Sequence, residues 1–257
     1  MFLRRSLFIL CCFITLPLSP GKAQESPRRP DSNLQPASVI DQSLDPCRYF
    51  NLDEPMVGFF VEMGLEDQLV PMRVPKRYLE DRFDHIEGAV HGAQLFRISV
   101  PTFEPITRQE TGRRNAAGLP WDWMNFLVND QLPLDQTIGL QLTLPITYAD
   151  IGKPRSVPDV HDFPNEPGPY GLIRVVAPDR LGGEDLFVQY DDEQNLTTWI
   201  LCQVQGINFT KNELCSLETR LSGMDVSMSF RRTELANWKI IYRNVAQFLT
   251  CATSEKL

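Results

Sequence analysis

The stretch that decides the fold is residues 197–249, TTWILCQVQGINFTKNELCSLETRLSGMDVSMSFRRTELANWKIIYRNVAQFL. Within it Met224, Val226, Met228 and Phe230 alternate with Asp225, Ser227 and Ser229. Successive side chains of a strand point to opposite faces, so this is a half-buried strand with one apolar face. Leu217, Thr219 and Leu221 alternate in the same way, and Ser222-Gly223 between the two runs predicts an antiparallel hairpin. Thr198 to Gln205 is apolar on both faces, as befits a strand with neighbours on either side. After the hairpin the period changes. Leu235, Trp238, Ile241, Val245 and Phe248 recur every three or four residues with polar residues between them, which predicts an amphipathic helix that needs a sheet to cover. Thr233 is the expected N-cap of that helix, with Glu234 at the positive end of its dipole.

Outward from this stretch the chain reads as one α+β domain over residues 47–257, a mainly antiparallel sheet covered by the C-terminal helix, with two long loops. Met56 to Met63 and Gln68 to Val74 predict two strands, and Pro75 to Glu80 a first helical turn. Gln94 to Val100, Thr137 to Leu144, Leu172 to Val176 and Asp185 to Tyr190 predict further strands. The loops are residues 105–132, which show no strand period, and 145–171, which hold six prolines. Val70, Met72, Val74, Lys76 and Leu79 repeat the spacing of Val226, Met228, Phe230, Arg232 and Leu235 at a constant offset of 156 residues, each a strand running into a helix.

Residues 1–23, MFLRRSLFILCCFITLPLSPGKA, have a basic start, an apolar run, a proline break and a small residue at Ala23. That is the organisation of a secretory signal peptide, with cleavage expected after Ala23. An uncleaved anchor and a twin-arginine signal are the competing readings; the run is short for a span, which needs about 20 residues. Residues 24–46 are rich in proline, serine and charge and are expected to be disordered or loosely packed. The expected location is the periplasm or the extracellular space, with no stable membrane insertion after cleavage.

Export alters the cysteine reading. Cys11 and Cys12 leave with the signal, and Cys47, Cys202, Cys215 and Cys251 remain, an even number for an oxidising compartment. Four cysteines allow three pairings. A cross-strand Cys202–Cys215 bond is one that hairpin spacing permits, and it would leave Cys47 to pair with Cys251. Loss of Arg4, Arg5 and Lys22 takes the formal net charge from −8 to −11. So acidic a chain argues against nucleic acid, whose affinity rests on clustered lysine and arginine.

Motifs for chemistry are sparse. Asp84-His85-Ile86-Glu87 with His91, and His161 between Asp159 and Asp162, lack the His pairs of a zinc site, so no metal and no cofactor are expected. Glu80, Asp81, Asp84 and Glu87 could supply a general-acid pair for a hydrolase of glycans or peptides, if a cleft joined them to Trp121 or His161. Trp121-Asp122-Trp123 is the candidate binding feature: two indoles about a carboxylate can stack on a sugar or a protein, or can pin their own loop to the core. The function expected is that of a non-enzymatic envelope protein that neutralises or scaffolds another protein, with an exported hydrolase or a sugar-binding module as the alternatives.

Overall fold

The computed structural model of the chain describes residues 37–64, 68–143, 156–177, 181–204 and 213–254. Strands β1 (Met56–Met63), β2 (Gln68–Pro75) and β3 (Ala89–His91) form a small sheet in the order β2-β1-β3. The large sheet is built from β4 (Ala93–Ser99), β5 (Trp123–Asn129), β6 (Asn165–Pro167), β7 (Ile173–Val175), β8 (Asp185–Tyr190), β9 (Leu196–Cys202), β10 (Leu214–Leu221) and β11 (Met224–Arg231). Its order is β4-β5-β11-β10-β9-β8-β7-β6, antiparallel throughout. Helices α1 (Arg108–Ala116), α2 (Leu134–Gln141) and α3 (Trp238–Ser254) complete it, and the α+β class with α3 laid on the sheet is as the sequence indicates.

The hairpin of β10 and β11 turns on Ser222 and Gly223, with φ of 52° and 79°. Two successive positive φ values match the right-handed twist of the strands, and glycine takes one of them without steric cost. The register that follows places Cys215 opposite Cys202, and the two are bonded with Cα atoms 4.1 Å apart. Cys47 is bonded to Cys251 near the end of α3. Phe248 of α3 is the hub of the core, with its ring 4.8–5.7 Å from those of Phe50, Tyr78, Phe96, Phe103 and Phe126. The same core takes in Phe59 and Val61 of β1 and Met72 and Val74 of β2, so the small sheet, the inner face of the large sheet and α3 share one interior.

Several local readings are corrected. Residues 137–144 begin as α2 rather than as a strand: Leu134, Ile138 and Leu142 lie four residues apart and face a second core with Leu186, Val188 and Trp199. Gly139 there allows close approach, since a Cβ would meet the Pro158 carbonyl oxygen at 2.7 Å. Residues 105–132 are not a loop throughout, because they contain α1 and β5, and β5 lies between β4 and β11. Thr233 does not cap a helix. A 3-10 turn, Arg232–Asn237, intervenes before α3, and Glu234 is buried, accepting from the Ser38 N–H (2.9 Å) and hydroxyl (2.7 Å). Ile40 of the N-terminal arm belongs to the core, whereas residues 1–36 lie outside the described residues, as do 144–155 of the second loop. The segments at the 156-residue offset are alike: each is the second strand of a hairpin running into a 3-10 turn, Lys76–Tyr78 in one case and Arg232–Asn237 in the other.

Candidate functional site

The inner face of the large sheet is closed by α3 and the small sheet; among the described residues the outer face is covered by α2 at one end. Alternation along β4, β5, β11 and β10 turns Phe96, Phe126, Met228 and Leu217 inward. It turns two cross-strand rows outward. In one row Arg97 lies opposite Asn125, Asn125 opposite Ser229 and Ser229 opposite Ser216. In the other, Leu95 lies opposite Leu127, then Ser227, Glu218 and Trp199. At the Trp199 end α2 closes over the row, and the Trp199 indole N–H donates to the Thr137 hydroxyl at 3.1 Å. At the β4 end the chain entering α1 borders the sheet. Between these helices Asn125, Leu127, Ser216, Ser227 and Ser229 are half-buried, and the Gln131 side chain reaches Ser227 from beyond β5.

Glu218 is the unusual member of this floor. It is 8% exposed, yet its partners are neutral: one oxygen accepts from the Ser216 hydroxyl at 3.2 Å and the other from the Ser227 hydroxyl. Ser227 also accepts from the Gln131 amide at 2.7 Å, and the Gln131 N–H donates to Asp225 at 3.0 Å. Burial pushes the Glu218 carboxyl above its ordinary value; hydrogen bonds from Ser227, Ser216 and Gln131 oppose that shift and the charge of Asp225 adds to it.

At the β4 edge of this face lies a groove of about 660 Å³, lined by residues 77–84, by Leu95 and Arg97, and by residues 105–108. Glu80 holds it together, accepting from the Arg97 guanidinium and from the Arg108 N–H at the start of α1. Phe83 stands 60% exposed at its rim with Arg82 over its ring. The other acids of this segment are spent on local bonds. Asp81 accepts from the Phe83 N–H (2.9 Å), Asp84 from the Gln94 amide (3.2 Å), Glu87 from the Gly58 N–H (3.0 Å), and the His85 ring contacts the Leu79 carbonyl (2.9 Å). His161 is elsewhere. It stacks on Tyr190 and lines a second cavity, of about 650 Å³, with Asp135, Asp159, Asp191, Asp225 and Arg220. The cleft that would have joined the acids to His161 is therefore two separate cavities, and no group of three or more His, Cys, Asp or Glu side chains among the described residues could hold a metal ion.

Trp123 belongs to β5 and is 4% exposed. Trp121 stacks on it at 5.1 Å and donates its indole N–H to the Trp123 carbonyl at 3.0 Å. Asp122 pairs with Arg114 of α1 at 2.8 Å, and that guanidinium lies 5.8 Å from the Trp123 ring. The three residues thus tie α1 to the upper end of the open face, next to Asn125. The outward serines were legible as outward, but Glu218 was not singled out; its signal is a lone carboxylate in a strand, with uncharged Ser227 and Trp199 opposite it.

No family model and no curated protein matches the sequence. Among solved structures the fold is similar to that of an immunity protein of the Stenotrophomonas maltophilia type IV secretion system, with TM-score 0.50 and 13% identity over 76% of this chain and 92% of that one. It is also similar to the iron-regulated outer membrane lipoprotein FrpD of Neisseria meningitidis, with TM-score 0.47 and 14% identity over 86% of this chain and all of that one. The likeness to the immunity protein is one of fold. Among the described residues no helix is long and apolar enough to cross a membrane.

Proposed function

We propose that this is an exported protein that works by binding another protein of the cell envelope, neutralising or holding it, and that the contact is made on the open half of the outer sheet face. The observation that carries the reading is the uneven cover of the large sheet among the described residues: α2 and residues 156–163 close its outer face near β8 and β9, whereas Asn125, Leu127, Ser216, Ser227 and Ser229 stay half-buried and Leu95 exposed, with α1 beside them. A flat floor of small side chains with Leu95 and Leu127 within it, and charged residues at its borders, has the anatomy of a contact surface with an apolar centre and a polar rim. The two disulfides suit an oxidising compartment. The shared fold with an immunity protein is compatible with binding to another protein and adds no residue-level support.

The test is a photoreactive residue placed at Asn125 or Ser229 on the face, and at exposed Arg243 on α3 as a control, in the cell of origin. The expected result is a discrete covalent adduct from positions 125 and 229 and none from 243. No adduct from the face, or equal adducts from all three positions, overturns the reading.

A further inference from the structure

The groove at the β4 edge runs against the charge of the rest of the chain, whose formal net charge is −8. Four arginines, Arg77, Arg82, Arg97 and Arg108, line it against three acids, Glu80, Asp81 and Asp84, a balance of +1. The cavity that His161 lines has Arg220 against Asp135, Asp159, Asp191 and Asp225, a balance of −3. Two of the four groove arginines are matched: Arg77 pairs with Glu54 at 2.8 Å and Arg97 with Glu80. Arg82 and Arg108 have no ion pair among the described residues. Arg82 lies over the Phe83 ring, 4.9 Å from its centroid, and Arg108 engages Glu80 through its backbone N–H. Asp81 and Asp84 are turned to neutral donors, the Phe83 N–H and the Gln94 amide. Arg108 is also the first residue of α1, where the helix dipole is positive and a cation is disfavoured, so an arriving carboxylate is drawn by the side chain and the helix end together. Both guanidinium groups can be reached from solvent, since Arg82 and Arg108 are exposed, and the apolar surface between the charges is open as well, with Phe83 60% and Leu95 39% exposed. Leu95 and Arg97 line the groove and also begin the two rows of the open face, so groove and face are continuous.

We propose that this groove seats a segment of the protein partner that carries a carboxylate, aspartate or glutamate, next to a large apolar side chain, an inference that rests on the binding reading above. The carboxylate meets Arg108 or Arg82, whose planar forks can take it in two parallel hydrogen bonds. The apolar side chain lies on Phe83 and Leu95. A space of about 660 Å³ is enough for both. An apolar seat ringed by arginine is the kind of place where a few residues carry most of the energy of a contact.

The experiment adds a photoreactive phenylalanine at position 83, which keeps the ring, to the adduct assay at Asn125, and repeats both with Arg82→Gln and Arg108→Gln combined. The expected result is an adduct with the same partner from positions 83 and 125, an aspartate or glutamate in the partner segment mapped at position 83, and a yield at least about tenfold lower without the two charges, as for loss of one side of a charge pair. A melting midpoint equal to that of the parent certifies the fold. Arg108→Glu, a change that the start of a helix favours, is the second variant and is expected to lower the yield further. An adduct at 125 with none at 83, an undiminished yield in the folded variants, or a mapped segment without an acid overturns this inference and leaves the binding reading standing. An acidic segment captured at 83 alone keeps the groove and overturns the contact on the open face. No adduct at either position overturns both.

Discussion

Removing the Cys47–Cys251 bond, by replacing both cysteines with alanine so that no lone thiol remains, tests how the domain is held closed. The bond spans 204 residues of sequence, whereas Cys202–Cys215 spans 13. Loop-closure entropy in the unfolded chain makes the outer bond worth about 5 kcal/mol and the inner one about 3 kcal/mol. Set against a whole-domain stability of roughly 5–15 kcal/mol, loss of the outer bond takes a third or more of the total. Magnitude alone blurs the comparison, because Cys202 and Cys215 are fully buried and their truncation also leaves small voids. The denaturant slope separates the two causes. Without the outer bond the unfolded chain expands and exposes more surface, so the urea m-value rises; without the inner bond it stays nearly constant. Urea unfolding of both double variants, followed by tryptophan fluorescence, is the assay. An outer-bond variant that loses less than the inner-bond variant, with an unchanged m-value, would refute the reasoning.

Three further outcomes are expected. Asp185→Ala leaves Arg174 and Arg232 facing each other without the carboxylate that both contact at 3% exposure, and should cost about 3–5 kcal/mol in urea unfolding. Phe248→Ala removes the ring that five others pack against and should cost about 3–5 kcal/mol, read as a fall in melting temperature. Glu218→Gln should change the pH profile of stability. The folded carboxyl is raised above the unfolded value of 4.5, so the contribution of this group is fully present below 4.5 and is lost as pH rises through the folded value; the Gln variant lacks that loss and gains on the parent toward neutrality, as urea midpoints across the range will show.

The hairpin of β10 and β11 and the terminal helix could be read from residues alone because each follows a single period. Ser222-Gly223 supplies the turn chemistry, and Cys202 faces Cys215 as a matter of register once the hairpin is set. β5 escaped because its outward face is mixed, with Trp123 and Leu127 alternating with Asn125 and Asn129 over inward Met124, Phe126 and Val128, so the polar alternation is blurred. α2 escaped for a different reason. Ile138, Leu140 and Leu142 fit a period of two as well as Leu134, Ile138 and Leu142 fit a period of four, and only the core beneath α2 decides between them. The candidate face was half legible: Ser227 and Ser229 had to point outward, but nothing local says that Leu95, Asn125, Ser216 and Glu218 are their neighbours. Strand order in the sheet is a long-range fact, and β5 reaches β11 across about a hundred residues of chain.

The position of Phe248 after every described strand has a consequence for biogenesis. Ribosomes, and any channel that threads a polypeptide from its amino end, release all eleven of the described strands before the ring on which five aromatic side chains converge. Until then Phe96 and Phe126 are exposed on the sheet surface that α3 will later cover, and a chain in that condition is adhesive. Nascent copies therefore carry an uncovered apolar sheet face until the turns of α3 arrive.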